Sequence, residues 1–358
     1  MRIAYSCAGE GFGHATRTAV IGPLLRKNHD IVYFIPETVK GFISSRIGEA
    51  LYERIPHFAF ITRVERVRLI ATVFGAVPLA LAFPLVLMRL ARKLRSLRID
   101  AVISDFDPFL PWAARMASIP VLQINHPGIV QRVFSAHPQA LLASMATRIL
   151  EGPWNERIHV SFYGGDVGPI IRREVFSRPI SVEGFVLLNL NRCLRPIVLP
   201  IFERMGIRYR LFPDPREDFL GALASCSCVL STAGHQIIAE SIALNKPIMV
   251  LPLGGQWEQQ LNAQMVDRTG KGRSTSVERL EADLPEFLAG LARYRSNVLP
   301  RLFNVVDNSQ EIVRRIEDFL GRVRQKKYDS LLSAVAPSAR LKEGPLEGLQ
   351  GSKAEKAI

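Results

Sequence analysis

The feature that most narrows the fold of this 358-residue chain is a rhythm that occurs twice. Short apolar runs at Ile3 to Cys7, Ile31 to Ile35, Ala101 to Ser104 and Val121 to Ile124 alternate with stretches of helical length. Several of these runs close on Gly, Pro or Asp, and strands that alternate with helices predict a parallel sheet. The rhythm restarts near Gly184, with Phe185 to Leu190, Tyr209 to Phe212, Cys228 to Leu230 and Ile248 to Leu251. The expectation is an α/β chain of two units, residues 1–165 and 184–322. The Gly- and Pro-dense stretch from Tyr163 to Pro169 and the residues up to 183 form the connection, where a hinge would let a cleft close. Residues 323–358, rich in Lys, Ser, Gly and Pro, read as a basic mobile tail.

Composition removes several classes. Apolar residues make up 48% of the chain, enough for a sizeable core, and 358 residues exceed one ordinary core. Four cysteines without a CxxC pair exclude a disulfide scaffold and a cysteine zinc site, and Cys226 and Cys228 are expected to pack in the core. Met1-Arg2 runs directly into an apolar strand without the segments of a signal peptide, so a cytoplasmic location is expected. The net charge of +13 favours anionic partners, but no RNA or DNA motif or basic-aromatic platform accompanies it, so no nucleic acid is expected.

Two strand-to-helix turns carry the chemistry. The first, Gly9-Glu10-Gly11-Phe12-Gly13-His14, follows the first strand, where open parallel sheets bind ligands. Its glycines recur at every second residue and His14 stands where a dinucleotide fingerprint needs its third glycine, which counts against a dehydrogenase. The second, Ser231-Thr232-Ala233-Gly234-His235-Gln236, follows the strand at Cys228 and opens an apolar-periodic helix. Such a turn aims unpaired N–H groups at an anion, and Gly234 keeps a side chain out of a diphosphate's way. Gln236 and Glu240 share a face of that helix, where a carboxylate can accept both hydroxyl protons of a ribose. Further on, Gln256, Glu258, Gln259 and Asn262 supply the mixed donors and acceptors that sugar hydroxyls need.

This text, with a Ser-x-x-Gly turn, a Glu six residues beyond the Gly, a Lys-Pro before the next strand and then Gln-x-Glu-Gln-x-x-Asn-Ala, resembles the donor signature of the UDP-glycosyltransferases. That group includes the bacterial enzyme that adds N-acetylglucosamine to the lipid-linked peptidoglycan precursor. The resemblance is most specific over residues 228–272 and implies a GT-B fold, two Rossmann-like domains facing a cleft. It places Ser231, Thr232, Gly234 and His235 around the diphosphate, Glu240 on the ribose, and Glu258 and Gln259 on the donor sugar. Gly11 and Gly13 would line the same cleft. His14 then suits the base that deprotonates the acceptor hydroxyl, with Asp105 orienting it and Asp107 an alternative, while His126 could touch the acceptor. A neutral imidazole near pH 7 is chemically able to accept that proton.

The resemblance implies inverting, metal-independent transfer from a UDP-sugar, UDP-N-acetylglucosamine being the first candidate, with no cofactor beyond that co-substrate. Two rival functions use the same cradle: a UDP-sugar epimerase or hydrolase, and a non-catalytic nucleotide-sugar-binding protein. Finally, Leu69 to Met88 contains no charged residue and is flanked by Arg63, Arg66 and Arg68 before it and by Arg89, Arg92, Lys93, Arg95 and Arg98 after it. Pro78, Pro84 and Gly75 interrupt it, so the expectation is a helical hairpin or interfacial patch at the inner face of a membrane, with a lipid-linked acceptor of cell-envelope polysaccharide chemistry.

Overall fold

A computed structural model of the chain describes residues 1–57, 62–63, 66–67, 69–133, 138–214 and 216–335. The first unit holds β1 (Arg2–Cys7), β2 (Asp30–Ile35) and β3 (Leu51–Arg54), a small antiparallel ribbon of β4 (Thr62–Arg63) and β5 (Arg66–Val67), then β6 (Ala101–Asp105), β7 (Val121–Asn125) and β8 (Glu156–His159). Its helices are α1 (Phe12–Leu25), α2 (Glu37–Ile47), α3 (Leu69–Ser96), α4 (Leu110–Met116) and α5 (Pro138–Glu151). The main sheet has the order β3-β2-β1-β6-β7-β8 and every pairing in it is parallel.

A short helix α6 (Arg173–Phe176) lies in the connection. The second unit holds β9 (Val186–Asn189), β10 (Tyr209–Phe212), β11 (Cys228–Thr232), β12 (Ile248–Leu251) and β13 (Gly272–Ser274) in the parallel order β10-β9-β11-β12-β13. It carries α7 (Arg195–Arg204), α8 (Phe219–Ser225), α9 (His235–Ala243), α10 (Trp257–Thr269), α11 (Leu280–Ala289) and α12 (Leu291–Ser296). Both sheets are doubly wound. Their strand order reverses between β1 and β6 in the first and between β9 and β11 in the second, and those are the points where such sheets bind ligands.

The central strands are buried along almost their whole length, as parallel strands covered by helices must be. Cys226 and Cys228 lie in this core as free thiols whose pKa burial raises, the former to about 12.

Two expectations are corrected by the packing. The last helix, α13 (Ser309–Val335), does not continue the second unit: Ile312, Ile316, Phe319 and Leu320 enter the core beneath β1 and β2. His29 to Glu317 at 2.9 Å, Glu156 to Arg322 at 2.7 Å and Asp100 to Lys327 at 2.8 Å fasten it there. Residues 309–322 thus pack with the first unit, and the expected tail from 323 is helical to Val335, its remainder lying outside the described residues.

The second correction concerns residues 69–88, which belong to one continuous 28-residue helix rather than a hairpin. A helical proline removes one backbone hydrogen bond and crowds one carbonyl, which a helix anchored elsewhere can absorb. Here Leu87, Leu90, Ala91 and Leu94 anchor α3 against β1, β2 and α4. Arg68 and the side chains of residues 62–76 lie outside the described residues. Among the described residues no helix is long and apolar enough to cross a membrane.

Candidate active site between the two sheets

At the switch point of the first sheet, β1 and β6 run side by side, with Cys7 paired to Asp105 and the Ala8 N–H donating to the Asp105 carbonyl at 2.9 Å. Gly11 caps α1 with φ +69°, a conformation that favours glycine. This turn sends α1 across the end of β6, so that His14 Nδ1 lies 2.7 Å from Asp105 Oδ1. Arg17, one turn further along α1, grips the same carboxylate at two points, Nε to Oδ2 and Nη2 to Oδ1, each 2.7 Å. Asp105 is fully buried, Arg17 3% exposed, and the His14 ring 13% exposed. Burial alone would raise the Asp105 pKa, but Arg17 and then His14 outweigh it and hold the carboxyl below its usual range.

Phe106 follows with φ +61°, a left-handed conformation that costs a non-glycine residue energy, and its ring stacks parallel to His14 at 6.0 Å. Asp107 has a different task from Asp105. It accepts the N–H groups of Phe109 (3.1 Å) and Leu110 (2.8 Å), capping α4, and burial raises its pKa to about 6. Its carboxylate is thereby turned away from the role of an alternative partner for His14. Beside the loop an apolar cavity is lined by Ala8, Pro36, Pro56, Phe106, Pro108 and Leu150.

At the switch point of the second sheet, Ser231 Oγ donates to the Asn189 carbonyl at 2.9 Å and accepts from Asn189 Nδ2 at 3.2 Å. Ser231 is fully buried and locks the ends of β9 and β11 together, so its hydroxyl is already committed. Gly234 caps α9, no side chain caps that helix, and a β-carbon at Gly234 would approach nothing closer than 4.0 Å. His235 is turned inward: its Nε2 accepts the Phe162 N–H at 3.2 Å, and its ring stacks on His126 at 3.9 Å. What the α9 turn offers an anion is therefore its backbone, with Thr232 partly exposed beside it.

Glu240 is 1% exposed and its carboxylate is occupied. Arg172, from the connection, donates Nε to Oε1 at 2.8 Å and Nη2 to Oε2 at 2.6 Å, and Gln236 Nε2 donates to Oε1 at 2.8 Å. Gln236 Nε2 also reaches the Ile170 carbonyl at 2.9 Å, so residues 170–172 lie as a strap over this face of α9. Glu240, expected on the ribose, is held in this way because a buried acid needs a cation and the nearby connection supplies one.

Asn262 is likewise buried. Its Oδ1 accepts from Tyr163 Oη (2.9 Å) and lies 3.0 Å from His126 Nε2, and its Nδ2 donates to the Ala233 carbonyl (3.0 Å), joining the two units. Burial lowers the His126 pKa to about 3, so its ring is neutral and has one N–H for two acceptors, Asn262 and the Val160 carbonyl. Gln259 closes the β12 exit loop by accepting the Leu253 N–H at 3.0 Å and donating to Gln256 Oε1. Glu258 stays partly exposed, 3.5 Å from His126, with its pKa raised by burial against the pull of His14 and Arg17.

The two crevices face each other. A β-carbon at Gly13 would lie 3.8 Å from Gln236 Cβ, and Ile129, Phe162 and Tyr163 share one apolar cluster with Ile237 and Leu261. His14 and Arg17 act electrostatically on His126, His235 and Glu258 across this junction. Sequence reasoning missed Arg17 and Arg172 and gave His126 a different task. Only Arg17 had a local signal, its spacing of three from His14 on one helix face.

Comparison with known proteins gives the fold its relatives. The family model of glycosyl transferase family 1 matches residues 1–150 and 203–292. An uncharacterized glycosyltransferase of Methanosarcina acetivorans is 23% identical over 382 residues, covering 90% of this chain and 99% of that one. The crystal structure of Acinetobacter baumannii MurG superposes with a TM-score of 0.52 at 13% identity, over 88% of this chain and 99% of that one. Medicago truncatula UGT71G1 complexed with UDP-glucose gives a TM-score of 0.54 at 13% identity, over 88% and 98%. With two doubly wound sheets meeting at their switch points, and a family model matching most of its length, the chain belongs to glycosyl transferase family 1 and is a glycosyltransferase of GT-B fold.

Proposed function

We propose that this glycosyltransferase moves a sugar from a UDP-sugar to an acceptor hydroxyl with inversion, and that His14 is the base. The observation that carries this reading is the 2.7 Å contact between His14 and a buried, ionised Asp105 at the switch point of the first sheet. A carboxylate that accepts Nδ1–H leaves the Nε2 lone pair free. In the proposed step the acceptor oxygen attacks the anomeric carbon, the bond from that carbon to the phosphate oxygen breaks, UDP departs, and the acceptor proton passes to His14 Nε2.

The donor half of the reading rests on the α9 turn. Backbone N–H groups at His235 and Gln236, with Thr232 beside them, would meet the diphosphate, and the α9 dipole would stabilise the leaving group without a metal. Glu240 would take the ribose hydroxyls once Arg172 lets go of it. Glu258, with Gln256 and Gln259 behind it, would meet the sugar. UDP-glucose is the ligand named for the UGT71G1 complex, and this supports UDP as the nucleotide here.

An acceptor on a lipid carrier is supported by the first unit's surface. α3 exposes Val77, Leu81, Leu85 and Met88, α4 exposes Trp112 and Met116, and α5 exposes Leu141, Leu142, Met145 and Ile149 along one face. Exposed Arg89, Arg92 and Arg95 follow on α3 and Arg98 just after it, suiting an anionic headgroup layer.

The test is transfer from UDP-N-acetylglucosamine and other UDP-sugars to lipid-linked and free saccharide acceptors, with the product anomer read by NMR. Inverted product, reduced about 10³-fold in His14→Ala with UDP binding retained, is expected. Retained configuration, or full activity in His14→Ala, would overturn the mechanism. UDP and free altered sugar released without an acceptor would favour an epimerase or hydrolase.

A further inference from the structure

We propose that Arg17 is a positioning residue that fixes the charge of Asp105 and, through it, the proton arrangement of His14. The proposal rests on the reading of His14 as the base and goes one residue beyond it. His14 and Arg17 stand three apart on α1 and reach the same fully buried carboxylate, Arg17 through two contacts of 2.7 Å and His14 through one.

A carboxyl group without solvent tends to hold its proton. Protonated, Asp105 would donate to His14 Nδ1, the ring would carry its proton on Nε2, and no lone pair would face the acceptor. Arg17 prevents this by supplying a permanent cation on the carboxylate, which forces Nδ1–H toward Oδ1 and frees Nε2. Its Nη2 also lies 2.8 Å from His14 Nδ1. Arg17 can only donate there, so this contact competes with Nδ1–H···Oδ1 for the ring nitrogen, and the charge Arg17 places on Asp105 decides the contest for the carboxylate.

Other titratable groups face this trio without duplicating Arg17. On β1, Tyr5 and Cys7 have their pKa values raised by burial and are neutral. His126 and His235 are held neutral by burial from the opposite side. Asp107 caps α4, and Glu258 on α10 faces the ring and the guanidinium from across the junction.

The test is long-range 1H–15N correlation of the imidazole nitrogens in the full 15N-labelled chain, with His14 assigned from His14→Gln. The expected wild-type spectrum at neutral pH shows His14 with Nδ1 protonated and Nε2 bare. Arg17→Met is expected to move the ring proton from Nδ1 to Nε2 in the folded protein at neutral pH, and Arg17→Lys, which keeps the charge, to leave it on Nδ1. An unchanged tautomer in folded Arg17→Met would overturn the proposal. Should that variant not fold, an Nε2–H tautomer in the wild type would overturn it by itself. Glycosyl transfer by His14→Gln answers the separate question: if it survives, the base reading falls while the effect of Arg17 on His14 stands or falls on the spectra alone.

Discussion

The two glycine turns are built alike and finished differently. Each follows a strand at a switch point, opens a helix and presents unpaired N–H groups to the junction. In the first, polar side chains converge on one another and leave the His14 ring at the surface of the junction. In the second they are spent: Ser231 on Asn189, His235 on Phe162, Asn262 on His126 and Tyr163, Glu240 on Arg172. A proton-transfer site must be arranged before substrate arrives, whereas a diphosphate can be held by backbone that needs no side chain. The difference teaches that the groups proposed for proton transfer stand together in the first crevice, while the carboxylate of Glu240, proposed to meet the ribose, is closed by the strap at residues 170–172.

The variant that presses hardest on this contrast is Arg172→Met. It leaves Glu240 buried beside Gln236 alone, and a stability loss of about 3 kcal/mol in chemical denaturation is expected. Because the competing cation is gone, the surviving folded protein should bind UDP more tightly than the wild type. Weaker binding would mean that Arg172 is itself a donor contact, and the two crevices would then be equally prepared.

A smaller effect comes from pH. Burial holds the His126 pKa at about 3 and that of His235 well below its ordinary value near 6.5. Between those values and 6.5 the unfolded chain binds protons that the folded chain refuses, so stability is complete above about pH 6.5 and falls as pH drops toward 3. The slope contributed is at most about 1.4 kcal/mol per pH unit for each ring. Denaturation across pH 4.5 to 7 should show a shallower slope for His126→Phe than for wild type, and equal slopes would remove this histidine from the account of the closed junction.

The smallest change in stability belongs to Leu81→Asp with Leu85→Asp, two side chains that are 78% and 67% exposed. Folding should shift by no more than about 0.5 kcal/mol for each. Partition to phosphatidylglycerol vesicles should nonetheless be lost. Unchanged partition would leave the first unit with a reactive crevice but no lipid-facing side.

How much of this was legible follows from burial. The central strands stood out because both faces are covered and their text is continuously apolar; Ile248–Leu251 has the expected limits, as does one edge strand, Tyr209–Phe212. The edge strands Leu51–Arg54, Glu156–His159 and Gly272–Ser274 escaped, being short and partly exposed. Helix α13 has an apolar stripe, but a stripe does not say which sheet it covers, and Ile312 to Leu320 return to the first. In the site, the family resemblance paired His14 with Asp105, 91 residues away, and the fold joins them because α1 follows β1 and Asp105 ends β6 at the same switch point. Arg172 lies in the connection, and its pairing with Glu240 68 residues away leaves no periodic trace in the sequence.

The account stands most directly on whether the second crevice opens to a uridine nucleotide. Thermal unfolding of the full chain with UDP, GDP and NAD, alongside Glu240→Ala, measures this, since a ligand of the folded state raises its apparent stability. A UDP-selective rise in Tm that Glu240→Ala loses is the predicted result. A folded wild-type protein indifferent to every nucleotide would contradict it.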